Sequence, residues 1–306
     1  MDDHDTAEPT ASACFAEALA SFEEAVSHAP LHGPAWAGRS IALGRMGLVD
    51  EAVQCGEVAV SVAPEQVGSW VALGRALLQR ERLDDARASM EHALQVEDTD
   101  PDALALRALV LLEAGEDEDA AEAWDVAMRA RIERLRWLLG DDWDGRFEEA
   151  LEEVRDDLAA APEDADLLTR RGSILWSYGR CLDELASARQ ELAERPADPM
   201  AWHELAGALF ALARYEESAD AARRCTEIDP REDLGWSSLG LALCLLDRPA
   251  EALAAYERAR EIDPGYSGYW HYCAEVLEEL GREDEAQTAY ATAMDLAAAE
   301  EDPPPV

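Results

Sequence analysis

The stretch that decides the fold is Trp236-Ser237-Ser238-Leu239-Gly240-Leu241-Ala242-Leu243, continued by Ala252-Leu253-Ala254-Ala255-Tyr256 and closed by Glu261-Ile262-Asp263-Pro264. It holds two short runs with helical spacing of apolar residues, and proline stands only between them and at the end, where helices stop. Ala252 and Ala259 are small and share one helical face with Tyr256 between them. Small residues let two helices approach closely, and the large one fills the gap they leave, so the stretch predicts a helical hairpin.

The same pattern recurs every 34 residues. Pro30 and Pro64 are 34 apart, and Pro162, Pro196, Pro230 and Pro264 follow one another at the same interval. The gap from Pro64 to Pro162 is 98, four short of three repeats, so two phased blocks are joined across one four-residue deletion. Trp36, Trp70, Trp202, Trp236 and Trp270 share one phase. So do the small residues Ala52, Ala86, Ser218, Ala252 and Ala286, and a second set, Ala59, Ala93, Cys225, Ala259 and Ala293.

These residues resemble the tetratricopeptide repeat, whose pattern is W-x2-L-G-x2-Y, then A-x3-F, then P. The resemblance runs from about residue 15 to 297 and implies an all-α solenoid superhelix of tandem helix-turn-helix units. Units are expected to start at Gly33, Val67, Pro101, Arg131, Ala165, Pro199, Asp233 and Ser267. Ahead of them, residues 15–32 form a half-unit that supplies only a second helix, with Ala18, Phe22 and Ala25 in phase. Residues 1–14 and 298–306 are expected to be tails. The units at Arg131 and Ala165 depart from the pattern: Asp157 and Glu191 stand at small positions, and Glu184 replaces the key Ala. No Pro or Gly interrupts Ala120 to Leu139, so a long helix or a very tight turn is expected at the deletion.

The chain carries 26 Arg, no Lys and no Asn against 67 Asp and Glu, a formal charge of −41. Such a charge argues against binding nucleic acid or an anionic membrane, which requires a basic face. A GC-rich genome depletes Lys and Asn codons but leaves Arg free to balance the acids, so the excess points to work in molar salt, where repulsion is screened. No run approaches the roughly 18 apolar residues of a membrane span. The start, Met1-Asp2-Asp3-His4-Asp5, is acidic where a secretion signal needs positive charge. Cys14, Cys55, Cys181, Cys225, Cys244 and Cys273 show no metal spacing and read as reduced, Ala-like thiols of a cytoplasmic protein.

The resemblance implies that first helices line a concave groove through the second, fifth, sixth, ninth, twelfth and thirteenth residues of each unit. Candidates there are Trp176 and Phe210 at the twelfth position, Trp143 at the thirteenth, and Leu109, Leu139 and Leu241 at the ninth. Leu112 and Leu245 extend the apolar surface. A groove aromatic is a candidate anchor for a partner helix, though the same side chains also fit a core between units. Arg136 and Arg170 occupy one groove position in neighbouring units, near Arg129, Arg131, Arg134 and Arg171. They either receive a carboxylate from a partner or pair with nearby acids. The family's carboxylate clamp uses Lys and Asn, which this chain lacks.

His203 and His271 sit at equivalent positions two units apart, roughly 20 Å at about 10 Å per unit, too far to share a metal or a proton. His28 and His32 are separated by Pro30. Phosphate-binding glycine loops are absent, and Asp141, Asp142 and Asp144 lack the glycine and terminal Glu of a calcium loop. The expectation is a non-enzymatic scaffold without metal or cofactor, binding a partner helix or peptide in its groove. Alternatives are an assembly factor that associates with its own copy through its ends, and a regulatory sensor for a small ligand or signalling peptide.

Overall fold

The phase of the tryptophans has a direct cause. In each regular unit the indole Nε1 donates to the carbonyl of the proline six residues earlier: Trp36 to Pro30 at 2.9 Å, Trp70 to Pro64 at 2.8 Å, Trp202 to Pro196 at 3.0 Å, Trp236 to Pro230 at 3.1 Å and Trp270 to Pro264 at 3.0 Å. The indole therefore ties the first turn of each hairpin to the end of the preceding helix, and Pro and Trp must keep a fixed spacing.

The computed structural model describes residues 9–116 and 147–301, together with 119, 120, 123 and 126. In chain order its helices are α1 (Ala11–His28), α2 (Gly33–Arg45), α3 (Val49–Val62), α4 (Val67–Gln79), α5 (Leu83–Val96), α6 (Pro101–Glu113), α7 (Phe147–Ala160) and α8 (Ala165–Glu194). They continue as α9 (Pro199–Ala211), α10 (Tyr215–Ile228), α11 (Asp233–Leu245), α12 (Pro249–Ile262), α13 (Ser267–Glu279) and α14 (Glu283–Glu301). There is no strand among the described residues, and the architecture is an all-α helical-repeat solenoid.

Helix starts follow capping chemistry. Asp100 accepts from the amides of Asp102 and Ala103, Asp198 from Met200, and Asp164 from Asp166 and Leu167, each satisfying first-turn donors. The turn inside each hairpin is set by one residue. Gly47, Glu81, Gly115, Ala213, Asp247 and Gly281 all have φ between 55° and 78° and stand at the fifteenth position of their units. The next residue is Arg in four of these units, and it bonds an acid three residues on: Arg82–Asp85, Arg214–Glu217, Arg248–Glu251 and Arg282–Glu285. Across the hairpin, Ala52, Ala59, Ala86, Ala93, Ala252, Ala259 and Ala286 are completely buried. Ser40 and Ser218 donate across to the carbonyls of Ala52 and Ala206.

Two compact units divide the chain, residues 1–180 and 181–306. In the second, α9–α10, α11–α12 and α13–α14 are three regular hairpins around Leu209, Leu243, Tyr256 and Leu277.

The first unit departs from the expected organisation at both ends. The unit at Ala165 is not a helix-turn-helix: α8 runs unbroken over 30 residues. Gly179 stands at the fifteenth position, where six other units turn, yet it stays helical. The reason lies in Glu184 and Glu191. Folding back would press two carboxylates into the small positions of a hairpin, whereas in the straight helix Glu184 is exposed.

Residues 15–32 meet their first-helix partner far along the chain. α1 packs between α2 and residues 165–180 of α8. Ala18 and Phe22 meet Ala42 and Leu175, while Ala25 and Val26 meet Ala35, Leu168 and Val154 of α7. Helix α1 carries the small residues that Glu184 and Glu191 fail to supply, and it serves as second helix to a first helix some 150 residues away. The long helix expected over 120–139 lies outside the described residues; the long helix of this fold is α8.

Candidate partner-binding face

Helix α11 is apolar around most of its circumference. Leu239 and Leu243 are buried in the core, while Leu234, Leu241 and Leu245 form a second stripe at helical spacing, 40%, 42% and 45% exposed. One face of the helix is already packed, so this second apolar stripe is a candidate docking surface. Ser238 lies within the stripe. Its Oγ is 3.0 Å from His203 Nδ1, which joins α11 to α9. Burial lowers the His203 pKa and favours the neutral ring, and nearby Glu232, Glu204 and Asp233 oppose this in part.

On α9, one turn past His203, Gly207 is exposed with open space where a side chain would stand. Phe210 follows, half-buried and 5.2 Å from the ring of Tyr215. On α13, His271 Nε2 is 3.2 Å from Glu275 and its ring is 5.4 Å from that of Tyr290. The Tyr290 hydroxyl donates to Glu278 at 3.0 Å; burial, reinforced by that carboxylate, raises its pKa to about 12. The three first helices of the second unit thus carry an apolar stripe, a histidine–serine pair and an acidic margin. Burial raises the thiols of Cys225, Cys244 and Cys273 to about 11, which leaves them protonated.

The remaining candidates lie in the first unit or outside the description. Leu109 is half-buried on α6, one turn before the exposed Leu112. Trp176 is half-buried with its ring 4.9 Å from Phe15 of α1, so one of its faces is covered by the chain's own helix. Arg170 pairs with Glu153 at 3.0 Å, and Arg171 bonds Ser21 at 2.8 Å, the internal pairing that competed with a ligand role. Arg136, Leu139 and Trp143 lie outside the described residues, as do Arg129, Arg131, Arg134 and the acids at 141, 142 and 144. Leu234 and Ser238 are not among the groove candidates of the sequence. Their signal was available: α11 has leucines at more positions than one core-facing stripe accommodates.

Among the described residues no helix is long and apolar enough to cross a membrane, and no group of three His, Cys, Asp or Glu is placed to hold a metal. Residues 71–132 match the tetratricopeptide-repeat family, and residues 144–265 match the bacterial transcriptional activator domain. No curated protein matches the chain. Similar solved structures include MamA from Desulfovibrio magneticus RS-1, 13% identical over 77% of this chain and 97% of that one, with a TM-score of 0.34. Another is YrrB, described as a tetratricopeptide-repeat protein with an unusual peptide-binding site, at 13% identity, 79% and 91% coverage and a TM-score of 0.31. PilF of Pseudomonas aeruginosa is 16% identical over 75% of each chain, with a TM-score of 0.32. The 34-residue helical hairpins tied by tryptophan and proline, and the match over residues 71–132, make the chain similar to tetratricopeptide-repeat proteins and give it their all-α helical-repeat fold.

Proposed function

We propose that the chain is a non-enzymatic interaction scaffold whose second unit binds a segment of a partner protein along α9, α11 and α13. The exposed stripe Leu234, Leu241 and Leu245 carries this reading. Apolar anchors of the partner pack on the stripe beside Phe210, and basic side chains meet Glu204, Glu275 and Glu278. The chain's charge of −41 favours basic partner segments and disfavours nucleic acid. Placement of a photoreactive residue at Leu241, and separately at the exposed Ala254 on α12, tests it. A partner crosslinked from 241 and not from 254 is expected; equal crosslinking from both positions overturns the assignment of the face.

The match of residues 144–265 to the bacterial transcriptional activator domain favours a second, regulatory reading, in which the partner belongs to the transcription machinery and is contacted as protein. Co-purification of RNA polymerase subunits that is lost in Leu241→Asp supports it; DNA retention by the purified chain in a mobility-shift assay contradicts it. Stacking of copies on α1 is less favoured, because its outer side is already covered by residues 165–180.

A further inference from the structure

The surface on which α1 lies has the features of a binding site built for a helix of its kind. The Phe22 ring sits between Gly38 of α2 and Gly172 of α8; a side chain at either glycine would strike the ring. A Cβ at Gly179 would come within 2.8 Å of the Phe15 ring and 3.0 Å of Cys14 Cβ, so α8 carries glycine where both phenylalanines of α1 press on it. Polar groups fix the register. Arg171 Nε donates to the fully buried Ser21 hydroxyl at 2.8 Å, and its other nitrogen reaches Glu24 at 3.5 Å. From the opposite wall Arg39 meets Glu23 at 3.2 Å, and the Arg45 guanidinium lies 5.4 Å over the Phe15 ring.

The four-residue segment 29–32 joins α1 to α2, and Leu31 at its centre is 81% exposed. Helix α8, for its part, cannot fold its own continuation onto the site, because Glu184 and Glu191 occupy the small positions. We propose that the surface formed by α2 and residues 165–180 is a helix-docking site, filled by residues 11–28 of the same chain and able to accept the same residues from a second copy. The second copy is the occupant because α1 carries the matching set: Phe22 for the glycine slot, Ser21 and Glu24 for Arg171, Glu23 for Arg39, and Ala18 and Ala25 for close approach. Opening of the 29–32 tether then exchanges α1 between chains.

A protease site inserted at Leu31 of the full chain tests this. After cutting, a fluorescent peptide of residues 9–31 should displace the resident helix and bind saturably, while the uncut chain takes up little. The Phe22→Ala peptide should bind at least tenfold more weakly, and Arg171→Ala in the chain should weaken the wild-type peptide. A cut chain that keeps its circular dichroism yet binds no peptide overturns the proposal, as does equal binding of the Phe22→Ala peptide. Should cutting unfold the chain, intact copies carrying donor or acceptor dyes at residue 31 are mixed, warmed below the melting transition and cooled. Size exclusion should then yield a dimer with energy transfer, and monomer alone at every temperature overturns the proposal.

Discussion

At the scale of the residue, the indole–carbonyl bond and the His203–Ser238 pair make separate statements. Trp236→Phe keeps an aromatic ring and deletes the donor to Pro230, leaving that carbonyl to solvent. A loss of about 1 kcal/mol in urea unfolding is expected, the worth of one hydrogen bond. Wild-type stability in Trp236→Phe would mean that the phase of tryptophan reflects ring packing alone. His203 is held neutral by burial, so its folded pKa lies below the unfolded value. The unfolded chain takes up the proton first, and the stability conferred by the neutral ring is complete above about pH 6.5 and falls as pH drops below it. His203→Gln should flatten the melting profile between pH 7 and 5.5 relative to wild type. Parallel profiles would contradict the assignment. Glu217, Glu251 and Glu285 have pKa values lowered by hydrogen bonds from their arginine partners, so what they contribute is complete above the unfolded carboxylate value of about 4.3 and is lost as pH falls from there through the lowered folded values.

At the scale of the element, the hairpin turn and α8 are opposite outcomes at the same position. Ala213 adopts φ 56° where Gly47, Gly115 and Gly281 stand in other units. Ala213→Gly should stabilise by roughly 0.5 kcal/mol, the left-handed cost of alanine less the added chain freedom of glycine. Gly281→Ala should destabilise by a similar amount, roughly 0.5 kcal/mol, in the same unfolding assay. If both changes are neutral, the left-handed conformation carries no cost there. The regular hairpins were legible in the sequence because Pro, Trp and the small residues each mark one structural event. The α1–α8 pairing was not. Glu184 and Glu191 signalled an irregular unit, but periodicity is a local property and does not tell which distant helix fills a vacated place. Likewise, the doubled leucine pattern of α11 was visible as letters, while its exposed half became apparent only once Leu239 and Leu243 were seen to occupy the core.

At the scale of the molecule, charge dominates. With −41 on 306 residues, the folded state concentrates repulsion that the unfolded chain spreads out. In 1 M KCl the screening length falls to about 3 Å, so that penalty largely disappears. The melting temperature should rise steadily from dilute buffer to molar KCl, with a larger helical signal in far-ultraviolet circular dichroism. An unchanged melting temperature would remove the case for a salt-adapted protein and leave codon usage as the source of the missing Lys.

The place of α1 also bears on the order in which the protein is made. Translation delivers Phe15 and Phe22 to solvent long before their partner helix exists, since residues 165–180 follow some 150 positions later. At about 5–20 residues per second, that wait is on the order of ten seconds. During it the nascent chain exposes two phenylalanines and the alanine face around them. The first unit cannot close until more than half of the polypeptide has left the ribosome, whereas the three hairpins of the second unit each mature with their near neighbours.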